Sequence, residues 1–188
     1  KAPTLLVQVK EILGSTSGVY ASQYAAALAK FGNLYQDQGQ YEKAEPLFLQ
    51  ASEITRLALG EDHSNYADRL YDLGEFYYNI GQYLKAVPFY VQAKDIRAKS
   101  LGTAHPDYAA SIAGLGKLYE LFEENKKAES LYVQAIALHK TAYGEDHPSY
   151  AVSLDHLAGL YVIMKQYQKA ETLYLQSMEI TRRSLGED

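Results

Sequence analysis

The chain has 188 residues, 47% hydrophobic and 22% charged, with a formal charge of -5, the balance of a folded globular protein. An acidic chain lacks the clustered Lys and Arg that neutralise phosphates, which excludes nucleic acid as a partner. With no cysteine, disulfides and thiolate metal sites are excluded as well. No apolar run approaches the roughly 20 residues that span a bilayer, and no signal-peptide pattern opens the chain, so the cytoplasm is the default compartment and no membrane is expected.

In chain order, residues 1–12 carry Lys1-Ala2, Gln8 and Glu11-Ile12, at the spacing of Lys43-Ala44, Gln50 and Glu53-Ile54 further on. They read as the second helix of a unit whose first helix is missing. The irregular connector Gly14-Ser15-Thr16-Ser17-Gly18 follows, and the two make up a leading segment, 1–23. Residues 24–65 form the first full unit. Leu28, Phe31 and Tyr35 fall at i, i+3 and i+7, one face of a helix. Gln38-Gly39-Gln40 breaks it, and Ala44, Leu47, Phe48, Ala51 and Ile54 repeat the stripe in a second helix. Gly60 then suits a left-handed helix end. Pro46 lies about a turn and a half into that second helix and should kink it or mark a later start.

Units 66–107, 108–149 and 150–188 repeat this reading with a period of 42 residues, opening at Tyr66, Tyr108 and Tyr150 as the first opens at Tyr24. Small positions align as Gly32, Gly74, Gly116 and Ala158, and large ones as Phe48, Tyr90, Tyr132 and Tyr174. A fixed period of this length means one supersecondary unit stacked on itself. Gly within a helix costs about 1 kcal/mol relative to Ala, so its recurrence predicts a close helix approach with the large ring opposite. Pro88 repeats the question posed by Pro46, while Pro106 and Pro148 sit where a helix should start. The chain stops at Leu185-Gly186-Glu187-Asp188, one step before the His-Pro of the earlier connectors. Both edges cut the series, as in a piece of a larger multidomain protein. The fold class is all-α: one repeat domain of antiparallel helix pairs, whose terminal helices expose stripes that favour end-to-end self-association.

His63, His105 and His147 also recur every 42 residues. That spacing keeps them apart, so they cannot converge on one ion as zinc ligands must, and they read as loop-ordering residues. Asp155, His156 and Glu120 invite an acid–base reading, but no nucleophile, phosphate loop or second carboxylate at a defined distance accompanies them. No catalytic residue, metal or cofactor is predicted. Most of the 18 tyrosines fall on recurring positions and read as packing residues. Tyr71 and Tyr78 do not: seven apart on one helix face, with Asp68, Asp72 and Glu75, they read either as a docking surface for a basic or aromatic segment or as a solvated helix face.

Leu28…Gly32…Tyr35…Ala44…Phe48…Ala51, repeated three more times, resembles the tetratricopeptide repeat (TPR) family, whose usual period is about 34 residues. The longer period and the Leu-Gly-Glu-Asp-His connector resemble the kinesin-light-chain variant. That variant is similar to arrays in large bacterial proteins, which can precede a CHAT protease or a signalling domain. The resemblance implies a right-handed solenoid whose first helices line a concave groove for a protein or peptide segment: a binding scaffold, not an enzyme. Carried over residue by residue, the groove is lined by Asn33 and Gln36, then by Asp68, Tyr71, Asp72, Glu75, Tyr78 and Asn79. Lys117 and Glu120 follow from the third unit, and Asp155, His156 and Val162 from the fourth. Acid predominates there, offset in part by Lys30 and Lys117, which points to a cationic segment. The Asn-Asn pair usual in the kinesin-light-chain pattern is replaced by Ala29-Lys30, Tyr71-Asp72, Ala113-Gly114 and Asp155-His156, so its cargo specificity is not carried over. The same resemblance leaves two other roles: a structural spacer or oligomerisation element, and a sensor array controlling a linked protease or signalling domain.

Overall fold

The computed structural model describes residues 18–184, and the readings made above for residues 1–17 and for Gly186 lie outside them. Among the described residues there are eight α-helices and no strand. In order they are α1 (Gly18–Asp37), α2 (Tyr41–Leu59), α3 (Ser64–Asn79), α4 (Tyr83–Ser100), α5 (Pro106–Leu121), α6 (Asn125–Tyr143), α7 (Pro148–Ile163) and α8 (Tyr167–Ser184). Helices α1–α4 belong to one compact unit and α5–α8 to a second. In each unit a first helix packs back on the second helix that follows it, and the two hairpins stack through α2 on α3, or α6 on α7.

The hairpin is set by a missing side chain. A Cβ placed on Gly32 would lie 2.9 Å from the Phe48 ring, one on Gly74 2.9 Å from the Tyr90 ring, and one on Gly116 2.6 Å from the Tyr132 ring. These are closer than carbon atoms approach, so only glycine lets the ring lie flat against the first helix. Phe48, Tyr90 and Tyr132 are at most 1% exposed as a result. In the fourth pair Ala158 occupies the small position, and Tyr174, over which no following hairpin packs among the described residues, is 43% exposed.

The turn inside each hairpin is equally regular. Its second residue has positive φ in all four: Gly39 (71°), Gly81 (76°), Glu123 (59°) and Lys165 (57°). The next backbone N–H reaches five residues back, as from Gln40 to Tyr35 and from Gln166 to Tyr161, both at 2.8 Å, satisfying a carbonyl the helix end leaves open. A lysine one turn later covers the tyrosine that ends the first helix. Lys43 stands 5.4 Å from the Tyr35 ring centre, Lys85 5.3 Å from Tyr77, Lys127 5.1 Å from Tyr119 and Lys169 4.9 Å from Tyr161. Each cation–ring contact contributes about 0.5–1 kcal/mol at such exposed sites.

The prolines resolve one way. Pro46 and Pro88 lie inside α2 and α4, which begin at Tyr41 and Tyr83 regardless, so neither marks a later start. The carbonyls four residues back belong to Glu42 and Leu84, both exposed, where solvent can replace the lost hydrogen bond. The three recurring histidines cap helices. The Nδ1 atoms of His63, His105 and His147 accept the backbone N–H of Asn65, Asp107 and Ser149 at 3.1, 3.2 and 3.1 Å. This is the role usually taken by Ser, Thr, Asp or Asn.

Between hairpins, a tyrosine and a glutamate recur. Tyr77 donates to Glu45 Oε1 at 2.6 Å, and Tyr161 donates to Glu129 Oε1 at 2.8 Å. In the second unit, Leu157, Leu160 and Tyr161 of α7 close over Ala128 and Tyr132 of α6. Buried His139 of α6 meets Ser153 of α7, its Nδ1 2.7 Å from the hydroxyl. Burial holds this imidazole below the ordinary histidine range, against the Pro106 carbonyl and Asp107, which favour its charged form.

This packing assigns opposite effects to two substitutions. Gly116→Leu, which forces a side chain into the Tyr132 ring, should lower stability by about 1–3 kcal/mol. Lys165→Gly, which removes a side chain from a left-handed position, should raise it by up to about 1 kcal/mol. Urea titration followed by circular dichroism checks both, and equal midpoints for the two variants would refute the placement. For His139 the sign is fixed by the lowered pKa. The folded state favours the neutral ring, so its contribution is complete above the unfolded value of 6.5 and is lost as pH falls through the folded value. The fall in melting temperature between pH 7.5 and 5.5 should be smaller in His139→Gln than in the parent.

Candidate functional site: the first-helix faces

In the first unit the expected residues come from α1 and α3. Asn33 and Asn79 are exposed, while Gln36 and Tyr78 are half-buried, with the Tyr78 ring 5.5 Å from that of Tyr83. Asp68, Tyr71 and Glu75 are brought together in one polar network with the second helix α4, and Asp72 lies beside it on α3. Arg97, 5% exposed, reaches Asp68 Oδ1 at 2.8 Å, and its guanidinium lies 4.9 Å from the Tyr71 ring centre. Tyr71 meets Tyr90 edge to face at 5.4 Å. The Tyr90 hydroxyl donates to Glu75 Oε1 at 2.5 Å, and the Tyr71 hydroxyl shares the same carboxylate. Asp72 pairs with Arg69 at 2.9 Å, one turn away on α3.

Two of the three α3 carboxylates are paired with arginines. Arg97 and Arg69 each neutralise one carboxylate, and the third accepts tyrosine hydroxyls. Three negative charges therefore face two positive ones. Burial first, and the Glu75 carboxylate second, push the Tyr71 and Tyr90 hydroxyls far above the ordinary tyrosine range, which keeps them donors at any physiological pH. Burial also raises the Asp72 carboxyl, against the opposing pull of Arg69.

In the second unit, Lys117 and Glu120 are half-buried on α5. Glu120 accepts the Tyr132 hydroxyl at 3.0 Å, with burial raising its carboxyl and that hydrogen bond lowering it. The same buried-tyrosine hydroxyl is thus held by Glu75 in one unit and, from a position one turn later, by Glu120 in the other. On α7, the His156 ring stacks on Tyr132 at 5.6 Å, and exposed Asp155 lies beside it. Both line an open groove of about 880 Å³ with Ser177, Glu179 and Arg182. Val162, also on α7, borders a different, apolar groove of about 380 Å³ against Tyr167, Tyr174 and Met178 of α8.

The residue missed from the sequence is Arg97. It occupies the register of Thr55, His139 and Thr181, a row of second-helix positions that are polar in every repeat although Thr55, Arg97 and His139 are buried. That recurring polarity was the available signal. Arg69 was legible more directly, three residues before Asp72 on a helix.

Among the described residues, no group of three or more His, Asp or Glu is placed to hold a metal ion, and no helix is long and apolar enough to cross a membrane. The tetratricopeptide repeat family model matches residues 23–97, 68–141 and 125–183. No curated protein matches the chain. Among solved structures, BtubC (BKLC) from P. vanneervenii is similar with a TM-score of 0.73 at 20% identity, over 86% of this chain and 65% of that one. The chain therefore spans less than two thirds of that relative. A Podosopora anserina kinesin-light-chain candidate with nearly identical TPR-like repeats gives a TM-score of 0.67 at 26% identity, over 96% of this chain and 83% of that one. A variant of that same protein gives 0.68 at 27%, over 86% and 76%. Stacked repeats of this kind present extended faces that bind other proteins and are typically non-enzymatic. The chain belongs to the tetratricopeptide repeat family, in a kinesin-light-chain-like form, and with it to the protein-interaction scaffolds.

Proposed function

We propose that the chain binds a peptide segment of a partner protein on its first-helix faces, with α3 as the principal platform. The observation that carries this reading is the network joining Asp68, Tyr71, Glu75, Tyr90 and Arg97. A face whose side chains are already locked loses little conformational entropy when a ligand lands on it. Beside that fixed base, Tyr78 offers an aromatic edge and Asn79 an amide that can both donate to and accept from an extended backbone. The excess of one carboxylate over the two guanidiniums retains a preference for a cationic residue in the ligand, but a mild one. Affinity then depends on ring and amide contacts more than on long-range attraction, and its salt dependence is shallow.

Random peptides displayed on phage and selected on the immobilised chain supply the ligands for a test. Tyr78→Ala with Asn79→Ala should weaken the selected peptides about tenfold, the loss of one ring contact and one hydrogen bond. Leu84→Ala, at a residue 80% exposed beyond the turn, should leave them unchanged. Peptides that bind equally well to the double variant would move the site off this face.

A further inference from the structure

We propose that the contact between α6 and the first turn of α7 is an acid-released latch, built from His139, Tyr143 and His147. The inference is independent of the peptide-binding reading, because it lies in the second unit and its readout is backbone protection.

His139 sits between the starts of two helices. Its ring is 8% exposed and on one side meets the carbonyl of Pro106, the first residue of α5. On the other side its Nδ1 lies 2.7 Å from the Ser153 hydroxyl of α7. A carbonyl only accepts, so the nitrogen facing Pro106 keeps the one proton of the neutral ring, and Nδ1 accepts from Ser153. The Ser153 oxygen is also 3.0 Å from the Ser149 carbonyl. The backbone N–H of that same Ser149 donates to His147 Nδ1 at 3.1 Å. Two imidazoles therefore converge on one residue in the first turn of α7, one at its amide and one by way of Ser153. Tyr143, the last residue of α6, closes the ring of contacts. It stacks on His147 at 4.2 Å and stands 6.0 Å from His139.

A proton added to either imidazole works against this arrangement. On His147 Nδ1 it takes the lone pair that holds the Ser149 N–H, and α7 loses its cap. On His139 it makes Nδ1 a donor, so the Ser153 hydroxyl must turn to the Ser149 carbonyl. It also places a buried cation beside the first turns of α5 and α7, the positive ends of their macrodipoles. Burial opposes that charge first, and His147 adds to it, against the Pro106 carbonyl and Asp107. The Asp107 carboxylate is shared, since the His105 ring stands 3.5 Å from it. The other charges nearby are already matched: Lys140 pairs with Glu145, and Asp146 with Arg183 of α8. Tyr150 of α7 is a buried phenol that accepts from Gln176. One carboxylate thus serves three imidazoles, and acid loads positive charge onto two helix starts.

The junction of the first unit supplies a control within the same chain. His139, Tyr143, His147 and Ser153 stand two repeat periods after Thr55, Leu59, His63 and Arg69. There α3 keeps its histidine cap, but the buried position holds the Thr55 hydroxyl, which donates to the Ala51 carbonyl at 2.8 Å. Leu59 supplies no ring. Acid should therefore loosen the start of α7 more than the start of α3.

Amide exchange of the whole chain at pH 7.5 and 5.5, corrected for the intrinsic rates, tests the latch. Protection at Tyr150 and Ala151 should fall about tenfold more than at Tyr66 and Ala67, a loss equivalent to one pKa unit of coupling. His139→Thr, which installs the residue found at this register in Thr55 and Thr181, should reduce the α7 response to that of α3. His147→Asp keeps an acceptor that stays ionised across this range and should do the same through the other ring. Circular dichroism at pH 7.5 controls for folding, and His139→Gln replaces the threonine variant if helicity is lost. The proposal is overturned if α7 loses no more protection than α3, or if protection falls evenly over the second unit. It is also overturned if either folded variant keeps the full response of the parent.

Discussion

Everything in this protein depends on how closely two helices of a hairpin can approach, and that distance is set where a glycine faces a ring. With no Cβ at Gly32, Gly74 or Gly116, the rings of Phe48, Tyr90 and Tyr132 lie flat on the first helix and become the most deeply buried large side chains. Burying an aromatic side chain of this size contributes about 2–3 kcal/mol, which outweighs the roughly 1 kcal/mol that a mid-helix glycine costs. The close approach also aligns the rest of the repeat. It brings the turn lysine over the terminal tyrosine, and it orients the buried hydroxyls of Tyr90 and Tyr132 toward Glu75 and Glu120. The polar platform of α3 is thus a consequence of the glycine contact.

The fold was almost fully legible in the sequence, because its determinants recur at one spacing and each recurrence tests the others. Gly32 alone would be an ambiguous helix glycine; Gly74 and Gly116 opposite Tyr90 and Tyr132 make it a packing rule. The recurring histidines were legible as loop-ordering residues but not as caps, since imidazole is an uncommon acceptor at that position. The two internal prolines were ambiguous because their cost depends on whether the unpaired carbonyl faces solvent. Glu42 and Leu84, which carry those carbonyls, are exposed residues, and the helices run through.

The candidate site was legible in its members but not in its charge. Helical periodicity places Asp68, Tyr71, Asp72 and Glu75 on one face because that face belongs to a single helix. What neutralises them comes in part from the next helix, 29 residues on in the case of Arg97. A one-dimensional pattern shows such a partner only if the whole register is compared, where a buried row that is polar in every repeat stands out. The apolar groove of α8 follows the same logic in reverse. Tyr174 and Met178 look like ordinary stripe residues in the sequence, and only their exposure distinguishes them from Tyr132 and Ile136.

This asymmetry between backbone and charge bears on how a scaffold of this kind acquires specificity. The repeat fixes where side chains point, so a first-helix position outside the buried face can change without disturbing the Gly–ring contact beneath it. Glu75 and Lys117 occupy the same register with opposite charge, yet both repeats keep a buried tyrosine hydroxyl satisfied, because Glu120 takes over from a position one turn later. The structural requirement is one acceptor within reach of that hydroxyl, and the register leaves two positions able to supply it. Whichever position is released can take a residue suited to a ligand. Recognition can therefore vary from repeat to repeat while the packing beneath each face stays the same.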